Sequence, residues 1–141
     1  NKLLSVKRLM LFPLGIGTKS CRLFSHSRFV RRRILAMGNP ICCPSVTFNM
    51  SLMPDKIFTV GMKSNVDWEA WEKLSRLRGG FLYEKKPLCY HRIHQESTTT
   101  EIIADNGRTE EDYQMYCKFW PKWIAGILLH WYTDSQKSNS L

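Results

Sequence analysis

The clearest pattern in the chain is an apolar residue at every third position in its middle. These positions are Trp68, Trp71, Leu74 and Leu77. The spacing predicts a helix of roughly three turns with one apolar face. Ser64 and Asp67 precede this face in the S/T-x-x-D/E arrangement, which satisfies free N–H groups of a first helical turn. Gly79 and Gly80 follow, and glycine ends helices readily because it adopts the left-handed conformation.

The flanking stretches predict further helices and short strands. Residues 3–14 and 28–37 have amphipathic patterns, and Ser27 is placed to cap the second of them. Thr109 is placed to cap a last helix, which Pro121 should kink or restart because proline lacks a backbone donor. Short runs of β-branched and aromatic residues predict strands or extended pieces at 46–50, 57–60, 81–83 and 88–93. Polar residues predict a surface loop at 97–108 and a tail at 133–141.

The length and composition predict one globular domain. The chain has 141 residues, of which 43% are hydrophobic and 12% aromatic. Its five cysteines form an odd set without the spacing of a disulfide framework, which favours a reducing compartment. Adjacent Cys42 and Cys43 are expected to be small buried apolar residues rather than ligands. No apolar run reaches the ~20 residues that a membrane-spanning helix needs.

The basic charge is concentrated in the first third of the chain. Residues 1–54 contain nine lysines and arginines and no acidic residue, and the chain as a whole has a net charge of +9. A nucleic-acid arm, a surface for anionic lipid or phosphorylated substrate, and a transit peptide each have this composition. Residues 34–50 continue without a break into strand-like sequence, which argues against a transit peptide. We therefore expect residues 1–37 to face a phosphate-bearing lipid acceptor or a membrane surface, with Arg31, Arg32 and Arg33 as a solvated face.

The order of motifs resembles the C-terminal half of family-2 glycosyltransferases with the GT-A fold. The resemblance consists of an Asp-Trp pair at a helix start, then a helix, a glycine, a strand and a Pro-Leu-x-Tyr-x-Arg-x-His-x-x-Ser motif. The matching residues are Asp67, Trp68, Pro87, Leu88, Tyr90, Arg92, His94 and Ser97. Residues 38–45 look like the segment that precedes the acceptor-side strand in that family. The resemblance runs from about residue 31 to the C-terminus.

This resemblance implies an α/β fold, with mixed short strands, a central helix and a C-terminal amphipathic helix. Residues 1–141 would be the acceptor-side part of one GT-A domain whose nucleotide-binding half is absent, so the fragment alone is expected to be inactive. The implied reaction is inverting transfer of a sugar from a nucleotide-sugar donor to a saccharide or lipid-linked acceptor, in cell-surface polysaccharide synthesis. The implied location is the cytoplasm, at the inner face of the membrane. A divalent metal, Mg or Mn, would be held mostly by the missing half.

The resemblance also assigns roles to four residues. Asp67 would be the general base that takes the proton from the acceptor hydroxyl; the alternative is a structural carboxylate in the first helical turn. Trp68 would contact the acceptor. Arg92 would orient the loop or a phosphate, or else form a buried ion pair. His94 would approach the metal–diphosphate of the leaving nucleotide, whose charge must be neutralised.

Other functions are open for a basic chain rich in aromatic residues. A nucleic-acid-binding module would use the early charge, but the sequence contains no recognition motif and its aromatic residues follow core spacing, so we expect no nucleic-acid partner. A membrane-surface module without catalysis would use the Trp-rich last helix. A zinc site at Cys89, His91 and His94 would lack a fourth ligand.

Overall fold

The structure is a computed structural model that describes residues 2–58, 60–90 and 107–137. Within these ranges the chain forms helices joined by irregular segments. The helices are α1 (Lys2–Leu11), α2 (Lys19–Phe24), α3 (Arg28–Leu35), α4 (Val66–Arg76), α5 (Gly107–Cys117) and α6 (Lys122–Lys137). Single 3₁₀ turns lie at Phe12–Leu14, Cys43–Ser45 and Met50–Leu52. No strand forms in the described ranges, where pairing is limited to isolated bridges.

The expected α/β fold with the short strands of a GT-A domain is therefore wrong for the part of the chain that the structure describes. A strand requires a neighbouring strand in register over several residues. The predicted strand at 81–83 instead meets the backbone after the 3₁₀ turn at Phe12–Leu14. Tyr83 N donates to Leu14 O at 2.9 Å, and Ile16 N donates to Tyr83 O at 2.9 Å. This is a single parallel bridge to Gly15, and residues 91–93 of the last predicted strand lie outside the described residues.

The predicted central helix is confirmed as α4. Its buried residues meet those of α3, α5 and α6 in one hydrophobic core, formed by Leu35, Trp68, Ala70, Trp71, Met115, Tyr116 and Ala125. Trp68 donates from Nε1 to Leu35 O at 3.1 Å, so the indole joins α4 to the end of α3. Its ring meets the Tyr116 ring edge-on at 5.2 Å, which attaches α5 to the same core. The helix–helix core thus takes the place of the expected sheet.

The last predicted helix is observed as two helices, α5 and α6. Pro121 precedes the restart at Lys122, as the missing N–H of proline predicts. The two tryptophans of α6, Trp123 and Trp131, are 70% and 69% exposed. Ala125 is buried on the side that packs against α5. Thr109 lies inside α5, which begins two residues earlier at Gly107.

The basic first third folds into three helices. Ser27 caps α3 as predicted, accepting a hydrogen bond from Val30 N at 3.4 Å. The sequence patterns missed α2, which Thr18 caps by accepting from Cys21 N at 3.0 Å. No helix in the described ranges has the length and apolarity needed to cross a membrane.

The run of arginines at 31–33 does not form the expected solvated face. Arg31 is 2% exposed, and Arg32 donates to the Glu72 carboxylate of α4. Arg33 is exposed, but its guanidinium lies over the Trp120 ring at 4.6 Å from the centroid. Each arginine therefore has a different environment, because consecutive residues of a helix point in different directions.

Candidate functional site

The start of α4 is held by a carboxylate from α5. The Glu111 side chain accepts four hydrogen bonds from the turn that leads into α4. The donors are Lys63 N (2.7 Å), Ser64 N (2.8 Å), Ser64 Oγ (2.6 Å) and Asn65 N (3.0 Å). Burial opposes ionisation of Glu111, but these hydrogen bonds outweigh it and lower the pKa of the carboxyl group. The N-terminal end of α4 is thereby fixed relative to α5.

This arrangement replaces the predicted capping pair of Ser64 and Asp67. The N-cap residue is Asn65, whose side chain makes no capping hydrogen bond and donates instead to Asp112 at 2.7 Å. Ser64 is engaged by Glu111. Asp67 is consequently not needed as the partner of Ser64 in a capping box.

Asp67 is half-buried in the first turn of α4 and is oriented by the loop after α3. Its Oδ2 accepts a hydrogen bond from Asn39 Nδ2 at 2.9 Å, and its Oδ1 accepts from Trp68 N at 2.7 Å. Asn39 is itself fixed, because its Oδ1 accepts from Ile41 N at 3.1 Å. A carboxylate in this position is favoured by the helix dipole, and each of its oxygens keeps a second lone pair.

A cavity of about 760 Å³ adjoins the loop that holds Asp67. Pro40, Ile41 and Cys42 line it, directly after Asn39 in the chain. Burial raises the pKa of the Cys42 thiol, and the neighbouring Cys89 and the charge of Asp67 add to this effect. Asp67 is joined to this part of the cavity wall through Asn39, the residue that precedes Pro40 in the chain. The volume is in the range of small-molecule sites, roughly 300–1,000 Å³.

The cavity has an apolar lining and a basic surround. Phe48, Trp71 and Leu74 are among its apolar residues. Six of the lining residues are lysine or arginine and one is glutamate. The basic residues are Lys7, Arg8, Arg31, Arg78, Lys85 and Lys86. Since α1 and α3 supply half of these charges, part of the basic first third faces the cavity.

The structure gives the predicted site residues different places. Asp67 is hydrogen-bonded to Asn39, next to the cavity-lining segment 40–42, whereas Trp68 is 1% exposed with its indole N–H paired in the core. The role of Trp68 as an acceptor contact stays a prediction, and in this structure the ring packs in the core. Arg92 and His94 lie outside the described residues.

The adjacent cysteines lie at the surface, and the described residues form no metal-binding group. Cys42 and Cys43 are exposed, so the expectation that they are buried is wrong. The 3₁₀ turn at Cys43–Ser45 carries them across the surface instead of into the core. The described residues contain no group of three His, Cys, Asp or Glu side chains that could hold a metal ion. The divalent metal that the resemblance implies, held mostly by the missing half, stays a prediction.

Three further residues were missed at the level of sequence. Glu111 binds residues that lie 46–48 positions earlier in the chain. Asn39 binds Asp67, which lies 28 positions later, so neither residue leaves a local sequence pattern. Arg31 did leave a signal. It precedes the buried Ile34 and Leu35 by three and four residues, so helical periodicity places it on the core side of α3.

Comparisons with known proteins return no relative of this chain: no family model, curated protein or solved structure matches it. Any functional conclusion therefore depends on the residues and geometry of the chain itself.

Proposed function

We propose that this chain is the acceptor-side part of an inverting glycosyltransferase and that Asp67 is its general base. The observation that carries the proposal is the placement of Asp67, which is half-buried and is held by Asn39, the residue directly before the segment 40–42 that lines a cavity of ligand size. The structural alternative for Asp67 is weakened because Glu111 engages Ser64 and holds the turn before α4. The order of motifs around Asp67 supports the same reaction. The proposal concerns the chemistry and does not depend on a GT-A sheet.

The proposed reaction is a direct displacement at the anomeric carbon of a nucleotide-sugar. The acceptor oxygen forms a bond to that carbon while the bond to the nucleotide diphosphate breaks, and the configuration inverts. The acceptor hydroxyl loses its proton to the Asp67 carboxylate. Asn39 donates to Oδ2 and keeps the carboxylate in one orientation, so a remaining lone pair can receive the proton. No step is assigned to a metal, and donor binding is proposed to involve residues outside the described ranges.

The test is the substitution Asp67→Asn, assayed for sugar transfer from a nucleotide-sugar to an acceptor. The amide keeps the shape of the side chain but cannot take a proton, so sugar transfer should fall by at least about 100-fold. Binding of the nucleotide-sugar and the melting temperature should stay nearly unchanged. Asp55→Asn is the matched control, since Asp55 is exposed and lies outside the cavity lining.

Asn39→Ala separates orientation from proton transfer. This variant keeps the Asp67 carboxylate but removes the hydrogen bond that orients it. We therefore expect kcat to fall less than in Asp67→Asn, and the pH dependence of kcat to shift. Transfer that survives Asp67→Asn, or a loss of transfer that follows a loss of folding, would contradict the proposal.

A second candidate, contact with a membrane surface through α6, is favoured by one observation. Trp123, Ile127 and Trp131 are spaced at one helical face and are 70%, 49% and 69% exposed. Exposed tryptophans on a helix are typical of interfacial binding. Binding to vesicles of anionic lipid should weaken in the double variant W123Q/W131Q and persist in Phe29→Gln, which removes an equally exposed aromatic residue from α3.

A further inference from the structure

Arg31 is a buried cation without an acidic partner in the described part of the chain. Only 2% of the residue is exposed. Its Nη2 donates to Leu77 O at 3.1 Å, and its guanidinium lies 5.2 Å from the centroid of the Phe81 ring. Its Nε finds no hydrogen-bond partner among the described residues. A buried guanidinium is ordinarily paired with a carboxylate or phosphate, because burying a charge alone is costly.

The local surroundings increase this cost. Burial lowers the pKa of the Arg31 guanidinium, and the positive charge of Arg28 one turn earlier lowers it further. The carboxylate of Glu72, on the neighbouring helix α4, is engaged by Arg32 and Arg76. No carboxylate among the described residues therefore neutralises the charge of Arg31.

A second residue of the cavity lining has an unpartnered donor. Trp71 is 2% exposed, and its Nε1 has no acceptor among the described residues. Trp71 and Arg31 both line the 760 Å³ cavity. An indole N–H and a guanidinium N–H can only donate, so the missing partners must be acceptor atoms. A ligand that satisfies both sites brings oxygen acceptors, and the charge of Arg31 selects an anion.

The remaining lining determines the rest of the ligand. Phe48 and Leu74 present apolar surface, which favours a hydrocarbon body. Lys7, Lys85 and Lys86 add positive charge around the cavity and increase the local concentration of anions. A sugar alone would leave the charge of Arg31 unpaired, and a free inorganic anion would leave the apolar wall uncovered.

We propose that this cavity binds an anionic amphiphile, with its phosphate or carboxylate head group on Arg31 and its apolar body along the cavity wall. Trp71 Nε1 donates to a further acceptor atom of the same ligand. The inference rests on the proposed function only where it identifies this ligand as the sugar acceptor. In that case the head group on Arg31 anchors the acceptor and its hydroxyl points towards Asp67. Binding itself requires neither a donor nor transfer.

The test is calorimetric titration of the chain with four probes, each kept below its micelle concentration. Dodecyl phosphate and dodecanoate carry both required features, dodecanol lacks the charge and inorganic phosphate lacks the chain. At least one of the two amphiphilic anions should bind at least 10-fold more tightly than either single-feature probe. Preference for dodecyl phosphate identifies a lipid phosphate, and preference for dodecanoate identifies a fatty acid. Equal binding of dodecanol, or no binding of either anion, overturns the proposal.

Variants locate the head group. Arg31→Met should weaken binding of the preferred anion at least 10-fold and leave binding of dodecanol unchanged. Arg33→Met is the matched control, since it removes the same charge from an exposed position of the same helix, and it should change the Kd by less than twofold. Trp71→Phe keeps most of the apolar wall and should weaken binding severalfold. Equal losses in the Arg31 and Arg33 variants overturn the assignment to Arg31.

Two measurements keep the outcome interpretable. Without ligand, the melting temperature of Arg31→Met should equal or exceed that of the wild type, because the variant removes an unpaired buried charge. If Arg31→Met does not fold, Arg31→Lys and Trp71→Phe test the same site. Asp55→Asn, which removes an exposed carboxylate outside the cavity lining, should bind the amphiphile like the wild type. Binding that disappears in Asp55→Asn contradicts the assignment to Arg31, whereas absence of transfer alone bears only on the proposed function.

Discussion

Glu111 connects α5 to the start of α4, and its removal should measure how much the candidate site depends on that connection. Glu111→Ala deletes the acceptor of four hydrogen bonds. Three of the donors are consecutive backbone N–H groups at residues 63–65. The N-cap residue Asn65 makes no capping hydrogen bond with its side chain, so no other cap of this kind replaces the lost one.

The magnitude follows from the number and exposure of these bonds. Loss of a single N-cap side chain costs about 0.5–2 kcal/mol. A net hydrogen bond to a charged group contributes about 1.5–3 kcal/mol. Lys63 N is exposed and can be hydrated in the variant, which reduces the loss. We therefore expect Glu111→Ala to lower the free energy of unfolding by about 2–3 kcal/mol, more than the loss of a single cap and within the range for a hydrogen bond to a charged group. For a chain of this length, the melting temperature should fall by about 6–10 °C.

The assay is urea and thermal unfolding followed by far-UV circular dichroism. Glu110→Ala is the matched control, because it removes a neighbouring exposed carboxylate of the same helix, and it should cost less than about 0.5 kcal/mol. Glu111→Gln should fall between the wild type and Glu111→Ala, since it retains one acceptor oxygen. A loss in Glu111→Ala no larger than that in the control would refute the role of this carboxylate as the anchor of α4.

Three further expectations follow from single positions. Because hydrogen bonds lower the folded pKa of Glu111 beneath its ordinary 4.5, its contribution is present above pH 4.5 and is lost as the pH falls through the folded pKa; acid titration of Glu111→Gln should therefore show a shallower loss of stability than the wild type. Gly38→Ala should destabilise by about 1–2 kcal/mol in thermal unfolding because φ is +121°, whereas Gly126→Ala within α6, where an added Cβ meets nothing, should stabilise by about 0.5–1 kcal/mol; equal effects would contradict the backbone argument. Iodoacetamide should alkylate exposed Cys42 in the folded chain, but its rate should rise at a higher pH than for a free thiol, since burial above all raises the pKa; a rate at neutral pH equal to that of a free thiol would contradict this.

Local patterns in the sequence were sufficient for the helices whose signals lie within one or two turns. The repeat that contains Trp68 and Trp71 predicts α4, and both residues are in the core. Ser27 predicts the start of α3, and Pro121 predicts the interruption before α6. In each case the signal is a side chain that acts on its own backbone or a helical period that needs no knowledge of the partner.

Contacts between distant segments decided whether a sheet could form and how the candidate site is built. The short β-branched runs could become strands only with neighbours in register, and Tyr83 met one bridge residue instead. Asp67 was found by its motif, but its partner Asn39 and the cavity beside it arise only when the loop after α3 reaches the start of α4. Residues 31, 32 and 33 are all arginines. The spacing of Arg31 from Ile34 and Leu35 places it on the core side of α3, because each successive side chain of a helix turns about 100° from the last, but its burial required the packing of that side against Leu77 and Phe81.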